Sequence, residues 1–369
     1  MNNVRRILVF RVGLLGDTIV ALPSLHALRE NFPETRITLL HERPSGGFVQ
    51  VEQLLNGSGL VDDYLTHAVL SRSRRRVATM LEFFGLLLRL RWRRFDLLVH
   101  LAPSNRTPQQ DARDRRFFRL AGIRQQITTS EHRLPPTRTR PLPAWPQEAD
   151  FLLSCLGRAG LKIPPPGQGV MDLHLGAAED AEVTRWEQEI GLAGDSRPRV
   201  AFGPGSKRPA TRWPVERYEQ VMQHLVREWG MVPVVFGGPE DAPVAEKLLA
   251  ACGQGFSACG RLSLRGAARA LRDCLFYVGN DTGTMHLAAA AGLPCVGIFS
   301  ARNPPGKWFP YGLGHRVHRV AVSCEGCHLD VCEVERMRCL TAIEPREIIQ
   351  SCEDMLRGRA KFPGATVSS

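Results

Sequence analysis

Hydrophobic positions in the first half of the chain follow two alternating spacings. Short runs of aliphatic residues predict strands, which lie at 7–10, 36–40, 96–101 and 124–129. Longer segments with helical spacing lie between them, at 18–31, 74–94 and 109–121. Strands that alternate with helices indicate βαβ units, in which helices cover both faces of a parallel sheet.

The alternation stops in the middle of the chain and then begins again. Residues 131–146 contain five prolines and predict a loop, a helix follows at 147–160, and the Pro- and Gly-rich segment 163–169 predicts a linker. Further strands are then predicted at 200–202, 232–236, 275–279 and 294–299, with helices at 215–229, 241–252 and 283–291. Two doubly wound halves with a cleft between them are the simplest architecture. Ligands of such sheets bind beyond the carboxyl ends of the strands.

The composition is that of a globular protein rather than of a fibrous or disordered chain, with 43% apolar and 23% charged residues. The formal net charge of +11 favours anionic partners such as nucleotides, nucleic acid or an acidic membrane. Only five of the 48 basic residues are Lys, an Arg preference typical of GC-rich genomes, so charge alone has little functional weight. Neither a signal peptide nor an apolar run of ~18 residues is visible, which predicts a cytoplasmic protein or one attached to the inner surface of a membrane.

The turn after the first predicted strand carries the first candidate residue. Its sequence, RVGLLGDT at 11–18, contains G-x-x-G but lacks the leading glycine of a dinucleotide-binding fingerprint. Asp17 lies at the predicted start of a helix. Two roles fit this position: an N-cap that accepts from backbone N–H groups, and a carboxylate that takes a proton from a hydroxyl nucleophile. The residues alone leave both open.

Two further strand ends carry polar side chains. Ser206 and Lys207 follow the strand at 200–202, and a lysine ammonium is a compact cation suited to a phosphate oxygen. An exposed loop lysine is the alternative. Glu240 follows Gly238 at the next strand end, where an acid can accept from ribose hydroxyls or simply occupy the first turn of a helix.

The segment 278–292 (VGNDTGTMHLAAAAG) ends a strand and opens an Ala-rich helix. Backbone N–H groups at such a helix start form a ready anion site. An ordinary capped helix with a core histidine is the alternative, but the combination with the two preceding strand ends favours a phosphate site. The residues that would form it are Asp281, Thr282, Gly283 and His286.

Four cysteines near the C-terminus have C-x2-C-x4-C-x6-C spacing: Cys324, Cys327, Cys332 and Cys339. Four thiolates this close together can bind zinc tetrahedrally, although the spacing is not that of two separated C-x2-C knuckles. A loop of reduced or locally paired thiols is the alternative. The other six cysteines are scattered through predicted strands and helices, which indicates buried reduced thiols.

Residues 72–94 combine eight Arg and one Glu with a centre rich in Leu and Phe. A helix of this kind can lie on an anionic membrane. A buried connecting helix with solvated arginines at its ends is the alternative. The arginines cluster beside leucines rather than among stacking aromatic residues, which argues against nucleic acid as a partner.

Together these motifs resemble glycosyltransferase family 9, the ADP-heptose:lipopolysaccharide heptosyltransferases. The resemblance covers nearly the whole chain and rests on R-x-G-x-x-GD-x5-P at 11–23, SK…RWP at 206–214, FGGPED at 236–241 and NDTGTMHLAAAAGLP at 280–294. It implies an α/β protein with the GT-B fold, two Rossmann-like doubly wound domains that face each other across a cleft. The implied parts are an acceptor-binding domain (1–165), a nucleotide-sugar-binding domain (170–345), and a C-terminal helix and tail (346–369) that packs back towards the N-terminal domain.

The resemblance implies an inverting transfer of a sugar, most simply heptose, from an ADP-sugar to a lipopolysaccharide-core or related glycan acceptor. Asp17 is then the general base. The donor-binding residues it implies are Gly16, Ser206, Lys207, Gly238, Glu240, Asp281, Thr282, Gly283 and His286. No D-x-D motif occurs, so no metal or other cofactor is needed to explain stabilisation of the leaving diphosphate by a lysine and a helix start.

The acceptor of this family is a lipid-anchored glycan, so the resemblance implies a cytoplasmic protein held on the inner face of the inner membrane, with residues 72–94 meeting the anionic surface.

Two other classes of function stay open. A nucleotide-sugar epimerase has the same double-Rossmann shape and needs no acceptor. A catalytically dead scaffold would only bind membrane or glycan, but intact Asp17, Lys207 and Asp281 argue against it.

Overall fold

The computed structural model describes residues 4–43, 51–67, 76–104, 106–128, 140–333 and 335–360, with the backbone alone described at 76–79, 359 and 360. The chain divides into two compact units. The first comprises Met1–Pro136 and Pro146–Leu175, and the second Thr137–Trp145 and Gly176–Ser369. Most of the predicted loop, at 131–139, and the first four residues of the predicted basic helix, at 72–75, lie outside the described residues.

The first unit is built on a parallel sheet. Its strands are β1 (Arg6–Phe10), β2 (Arg36–Glu42), β3 (Asp63–His67), β4 (Leu97–His100) and β5 (Gln125–Thr128). Its helices, within the described residues, are α1 (Leu15–Ile19), α2 (Leu22–Asn31), α3 (Val51–Leu55), α4 (Arg76–Arg93), α5 (Pro108–Leu120) and α6 (Glu148–Arg158). The strand order is β3-β2-β1-β4-β5, so the winding reverses between β1 and β4.

The central strand β1 is buried on both faces of this sheet. Leu8 and Phe10 pack in one cluster with Leu86 and Leu90 of α4. Ile7 and Val9, also buried, point to the opposite face because successive residues of a strand alternate.

One predicted helix is wrong in its extent. The pattern predicts a single helix over 18–31, whereas the structure has α1 ending at Ile19 and α2 beginning at Leu22. Pro23 lies in the first turn of α2. Its missing N–H and its ring, which would clash with the carbonyl four residues earlier, forbid one continuous helix.

The second unit contains a six-stranded parallel sheet. Its strands are β6 (Arg199–Gly203), β7 (Val232–Val235), β8 (Phe256–Ser257), β9 (Cys274–Asn280), β10 (Cys295–Phe299) and β11 (Arg316–Arg319). Its α-helices, within the described residues, are α7 (Ala177–Glu189), α8 (Val215–Trp229), α9 (Ala242–Cys252), α10 (Leu264–Leu271), α11 (Gly283–Ala290), α12 (Arg338–Thr341) and α13 (Pro345–Ala360). The strand order β8-β7-β6-β9-β10-β11 is the 3-2-1-4-5-6 order of a Rossmann fold, and the first unit follows its first five positions. The prediction of two Rossmann-like parallel α/β units is confirmed.

The closing helix α13 packs within the second unit. Ile348, Cys352 and Leu356 are buried in the core formed by Val200, Trp213 and other residues of that unit. The prediction that segment 346–369 packs back towards the N-terminal domain stays a prediction, and its last nine residues, 361–369, lie outside the described residues. Across the described residues, none of the helices combines the length and hydropathy that crossing a membrane requires.

Candidate active site

Asp17 lies beyond the carboxyl end of β1, in the first turn of α1 rather than at its N-cap. Its Oδ2 accepts from the backbone N–H of Leu14 at 2.8 Å, and its Oδ1 lies 3.5 Å from Nη2 of Arg11. Gly13 has φ +136°, and a β-carbon there would overlap the Asp17 carboxylate. The side chain keeps 22% of its surface exposed. Asp17 therefore stabilises the start of its helix and still presents a carboxylate to solvent.

Three neighbouring strand ends of the second unit gather most of the predicted donor residues. Because β7, β6 and β9 are adjacent in the sheet, their carboxyl ends lie side by side. Gly203 at the end of β6 is paired with Gly279 of β9, and the N–H of Phe236 donates to Phe202. The residues at these ends are Ser206, Lys207, Gly238, Glu240, Asp281, Thr282, Gly283 and His286. Gly16, also predicted to bind the donor, lies beside Asp17 in the first unit.

Asn280 holds two of these strand ends together, and sequence reasoning assigned it no role. It is fully buried at the end of β9. Its Oδ1 accepts from the backbone N–H of Trp213 at 3.0 Å and from the hydroxyl of Tyr218 at 2.9 Å. Its Nδ2 donates to the carbonyl of Pro204 at 2.7 Å. One side chain thus fixes the turn after β6 against the end of β9.

Asp241 is a second residue whose position the sequence did not predict. Its Oδ2 accepts from the N–H of Gly238 at 3.0 Å, and a β-carbon at Gly205 or Gly237 would overlap its carboxylate. Burial raises the pKa of Asp241 above its usual value, and the charge of Glu240 adds to this. The charge of Lys207 acts on the pKa of Asp241 in the opposite sense. Glu240 itself is exposed.

The start of α11 has unsatisfied polar groups. Thr282 is its N-cap residue, but the Thr282 side chain makes no capping hydrogen bond. Oγ1 of Thr282 and Nδ1 of His286 are buried and have no hydrogen-bond partner among the described residues. Burial lowers the pKa of His286 to about 4, so its imidazole is neutral near pH 7. Free N–H groups at a helix start, with the positive end of its dipole, suit an anion.

A buried lysine lies next to this helix start and was not predicted as a site residue. The Lys307 ammonium is 5.0 Å from the ring centroid of Trp308 and 5.7 Å from that of Trp145. The Trp308 ring meets the His286 ring edge-on, with centroids 6.2 Å apart. The only hint in the sequence is that Lys307 is one of five lysines.

The four C-terminal cysteines are reduced. Burial raises the pKa of Cys324, and the neighbouring Cys327, Cys339 and Cys332 raise it further, so the four thiols lie close enough to interact. Among the described residues, no group of three or more His, Cys, Asp or Glu side chains is arranged to hold a metal ion. The zinc hypothesis and the alternative of a loop of reduced or locally paired thiols both stay predictions.

An exposed apolar surface runs along α4. Leu86 and Leu90 on one face of the helix enter the core, whereas the opposite face is exposed. Arg91 links α4 to α5 by donating to the carbonyl of Leu120 at 3.0 Å. We call this the α4 surface; it consists of Met80, Leu81, Phe84, Leu88, Trp92 and Leu120, which are 50–83% exposed. Exposed arginines at 89, 91 and 94 surround it.

Comparison with known proteins matches most of the second unit to one sequence family. The sequence model described as "Glycosyltransferase family 9 (heptosyltransferase)" matches residues 169–338. A lipooligosaccharide heptosyltransferase 2 of Haemophilus influenzae is 31% identical over 139 residues, which are 36% of this chain and 40% of that protein. The chain spans less than half the length of each heptosyltransferase 2 that it matches.

Solved structures match the fold over nearly the whole chain. A glycosyl transferase family 9 protein from Veillonella parvula has a TM-score of 0.74 at 21% identity, covering 97% of this chain and 99% of that one. The Escherichia coli ADP-heptose LPS heptosyltransferase II has a TM-score of 0.68 at 20% identity, covering 96% and 99%. The resemblance that the motifs suggest is confirmed in this form: residues 169–338 match the sequence model of glycosyltransferase family 9, and both units have the fold of the Veillonella parvula protein.

Proposed function

We propose that this protein is an inverting glycosyltransferase that moves a sugar, most simply heptose, from an ADP-sugar to a lipopolysaccharide-core or related glycan acceptor. The observation that carries this proposal is the uncapped start of α11 beside the strand end that bears Lys207. The E. coli relative described above is an ADP-heptose LPS heptosyltransferase, which supports ADP-heptose as the donor.

The second unit would bind the donor by its diphosphate. Lys207 supplies a compact positive charge, and the N–H groups at Gly283 supply the positive end of a helix dipole. Glu240, exposed at the end of β7, would accept from the ribose hydroxyls. These groups stabilise the charge that develops on the diphosphate as it leaves, and they act without a metal.

Asp17 would act on the acceptor. Its carboxylate takes the proton from an acceptor hydroxyl, and the oxygen attacks the anomeric carbon as the bond to the diphosphate oxygen breaks. The products are the glycosylated acceptor with inverted configuration, ADP, and a proton held on Asp17 that is then lost to solvent. Such a single displacement needs no covalent intermediate on the protein.

An acceptor-dependence assay tests the proposed reaction. ADP-heptose should release ADP together with a glycosylated acceptor when a short soluble acceptor is present, and only slow hydrolysis should occur without it. An epimerase would convert the nucleotide sugar alone. A catalytically dead scaffold would bind nucleotide sugar or acceptor and turn over neither.

Replacing Lys207 with Ala should weaken ADP binding roughly 10- to 100-fold, because a charge-assisted contact to phosphate is lost. Calorimetric titration with ADP measures this effect. Lys247→Ala is the matched control, since this exposed lysine of the same unit pairs with Glu216 at 3.0 Å. Equal ADP affinities for wild type and Lys207→Ala would remove Lys207 from the site.

We also propose that the protein acts in the cytoplasm and is held peripherally on the inner face of the inner membrane, with 72–94 meeting anionic lipid. The α4 surface supports this proposal because it combines exposed aromatic and aliphatic side chains with arginines. Each arginine near an anionic surface contributes about 1 kcal/mol, and that part is screened by salt. The aromatic side chains can lie among the headgroups.

Vesicle co-sedimentation tests the membrane contact. Binding should be salt-sensitive with anionic lipid and weak with neutral lipid, and exchanging Arg72, Arg74, Arg75 and Arg76 for Gln should release the protein. Phe84→Ser with Trp92→Ser should do the same, while Leu313→Ser, which changes an exposed leucine of the second unit, should not. Turnover of a short soluble acceptor should be unchanged. Wild-type protein that never binds anionic vesicles would contradict the proposal.

A further inference from the structure

Arg11 is a buried charged residue that has no role in the reaction as proposed above. It follows β1 directly, and only 3% of its surface is exposed. Burial lowers the pKa of its guanidinium from the usual value, while the carboxylates of Asp17 and Glu148 oppose this effect. A buried guanidinium is costly unless its donors are paired, so its contacts indicate what it is kept for.

Those contacts join three elements around Asp17. Nη1 of Arg11 donates to the carbonyl of Leu101, just after β4, at 2.6 Å. Nε donates to the backbone carbonyl of Asp17 at 2.9 Å, and Nη2 lies 3.5 Å from Oδ1 of the same residue. The N–H of Arg11 also donates to the carbonyl of Leu40 in β2, which extends the pairing of β1. The guanidinium is thus fixed to the sheet and reaches both the backbone and the side chain of Asp17.

The Asp17 carboxylate is therefore held from three sides. The N–H of Leu14 lies at one oxygen, Arg11 at the other, and Gly13 leaves space that any larger residue would fill. A side chain restrained in this way loses little freedom when the acceptor arrives. A lysine could not replace Arg11 fully, because its single ammonium cannot reproduce the planar fork that contacts Leu101 and Asp17 together.

We propose that Arg11 is a positioning residue that holds the Asp17 carboxylate in the orientation in which it takes the acceptor proton. This inference rests on the proposed role of Asp17. Arg11 acts through Asp17 and does not itself touch the substrate.

A double-mutant cycle tests the proposal. Arg11→Met should lower kcat about 10- to 100-fold at saturating substrates, with KM for the donor within about twofold of wild type. In an Asp17→Asn background the same change should alter kcat by less than about twofold, because the group that Arg11 positions is already gone. Arg11→Lys, which keeps the charge, should fall between wild type and Arg11→Met.

Arg29→Met is the matched control in the same unit. Arg29 also joins elements, donating to the carbonyl of Thr35 and to Asp62, each at 2.9 Å. It should reduce thermal stability and leave kcat within about twofold. If Arg11→Met does not fold, the comparison of Arg11→Lys in the wild-type and Asp17→Asn backgrounds decides the question.

Three outcomes would overturn the proposal. The first is unchanged kcat in folded Arg11→Met, and the second is an equal loss of kcat in both backgrounds, which would mean that Arg11 acts independently of Asp17. The third is normal turnover of Asp17→Asn itself, because the role proposed for Asp17 then fails and that of Arg11 fails with it. Loss of turnover in Asp17→Asn with normal kcat in Arg11→Met removes only the positioning role.

Discussion

Replacing Asp17 with Asn should lower kcat by about 10²–10⁴-fold, the range typical of losing a general base. The fold should survive, because an Asn side-chain oxygen can still accept from the N–H of Leu14 as Oδ2 of Asp17 does at 2.8 Å. Affinity for ADP should stay within about twofold of wild type, since the proposed diphosphate contacts lie in the second unit. Steady-state turnover and calorimetry measure the two quantities on the same preparation.

Asp96→Asn is the matched control for Asp17→Asn. The Asp96 carboxylate also accepts from backbone N–H groups in the first unit, those of Arg5 at 2.8 Å and Arg6 at 2.9 Å, but at the amino end of β1. Its replacement should leave kcat unchanged. Near-normal turnover of Asp17→Asn would reduce Asp17 to a residue that stabilises the start of α1.

Replacing Asn280 with Ala should have the largest effect on stability. The change leaves the N–H of Trp213, the hydroxyl of Tyr218 and the carbonyl of Pro204 without their buried partner. Each unsatisfied buried group costs about 1–3 kcal/mol, and partial relaxation makes a total loss of about 2–4 kcal/mol the expected result. Denaturant unfolding measures this loss.

The Asn280→Ala variant should also bind ADP more weakly than the wild type does. Asn280 fixes the turn after β6, from which Ser206 and Lys207 extend, so ADP affinity should fall in Asn280→Ala as well. Tyr218→Phe is the graded control, because it removes one hydrogen bond and should cost about 1 kcal/mol with little change in ADP binding. A stable Asn280→Ala protein with wild-type ADP affinity would contradict the role that we assign to this side chain.

Most strands of the two sheets can be predicted from the local pattern of hydrophobic residues, because the central strands are nearly continuous apolar runs. The sequence RILVF of β1 and the sequence VPVV of β7 are examples of strands buried on both faces. The edge strand β3 was missed because its sequence, DYLTH, is mostly polar and only its middle residue is buried. The break between α1 and α2 was missed although Pro23 signals it, since the apolar spacing continues across the break.

Motifs predicted which residues gather at the strand ends but not how they are held there. Asn280 lies 67 positions from its partner Trp213, and no local pattern reveals a contact of that length. The sequence does not reveal that the Asp241 carboxylate, rather than that of Glu240, fills the space beside Gly205 and Gly237. Arg11 is the first residue of the motif at 11–23. Its burial, however, depends on contact with the end of β4, which lies about 90 residues further along the chain.

The stereochemistry of transfer tests the central claim most directly. An anomerically pure ADP-heptose is incubated with a short acceptor, and NMR of the product gives the configuration of the new glycosidic bond. A single displacement in which Asp17 deprotonates the acceptor predicts complete inversion, with formation of the product about 10²–10⁴-fold slower in Asp17→Asn. Retention of configuration would contradict the account.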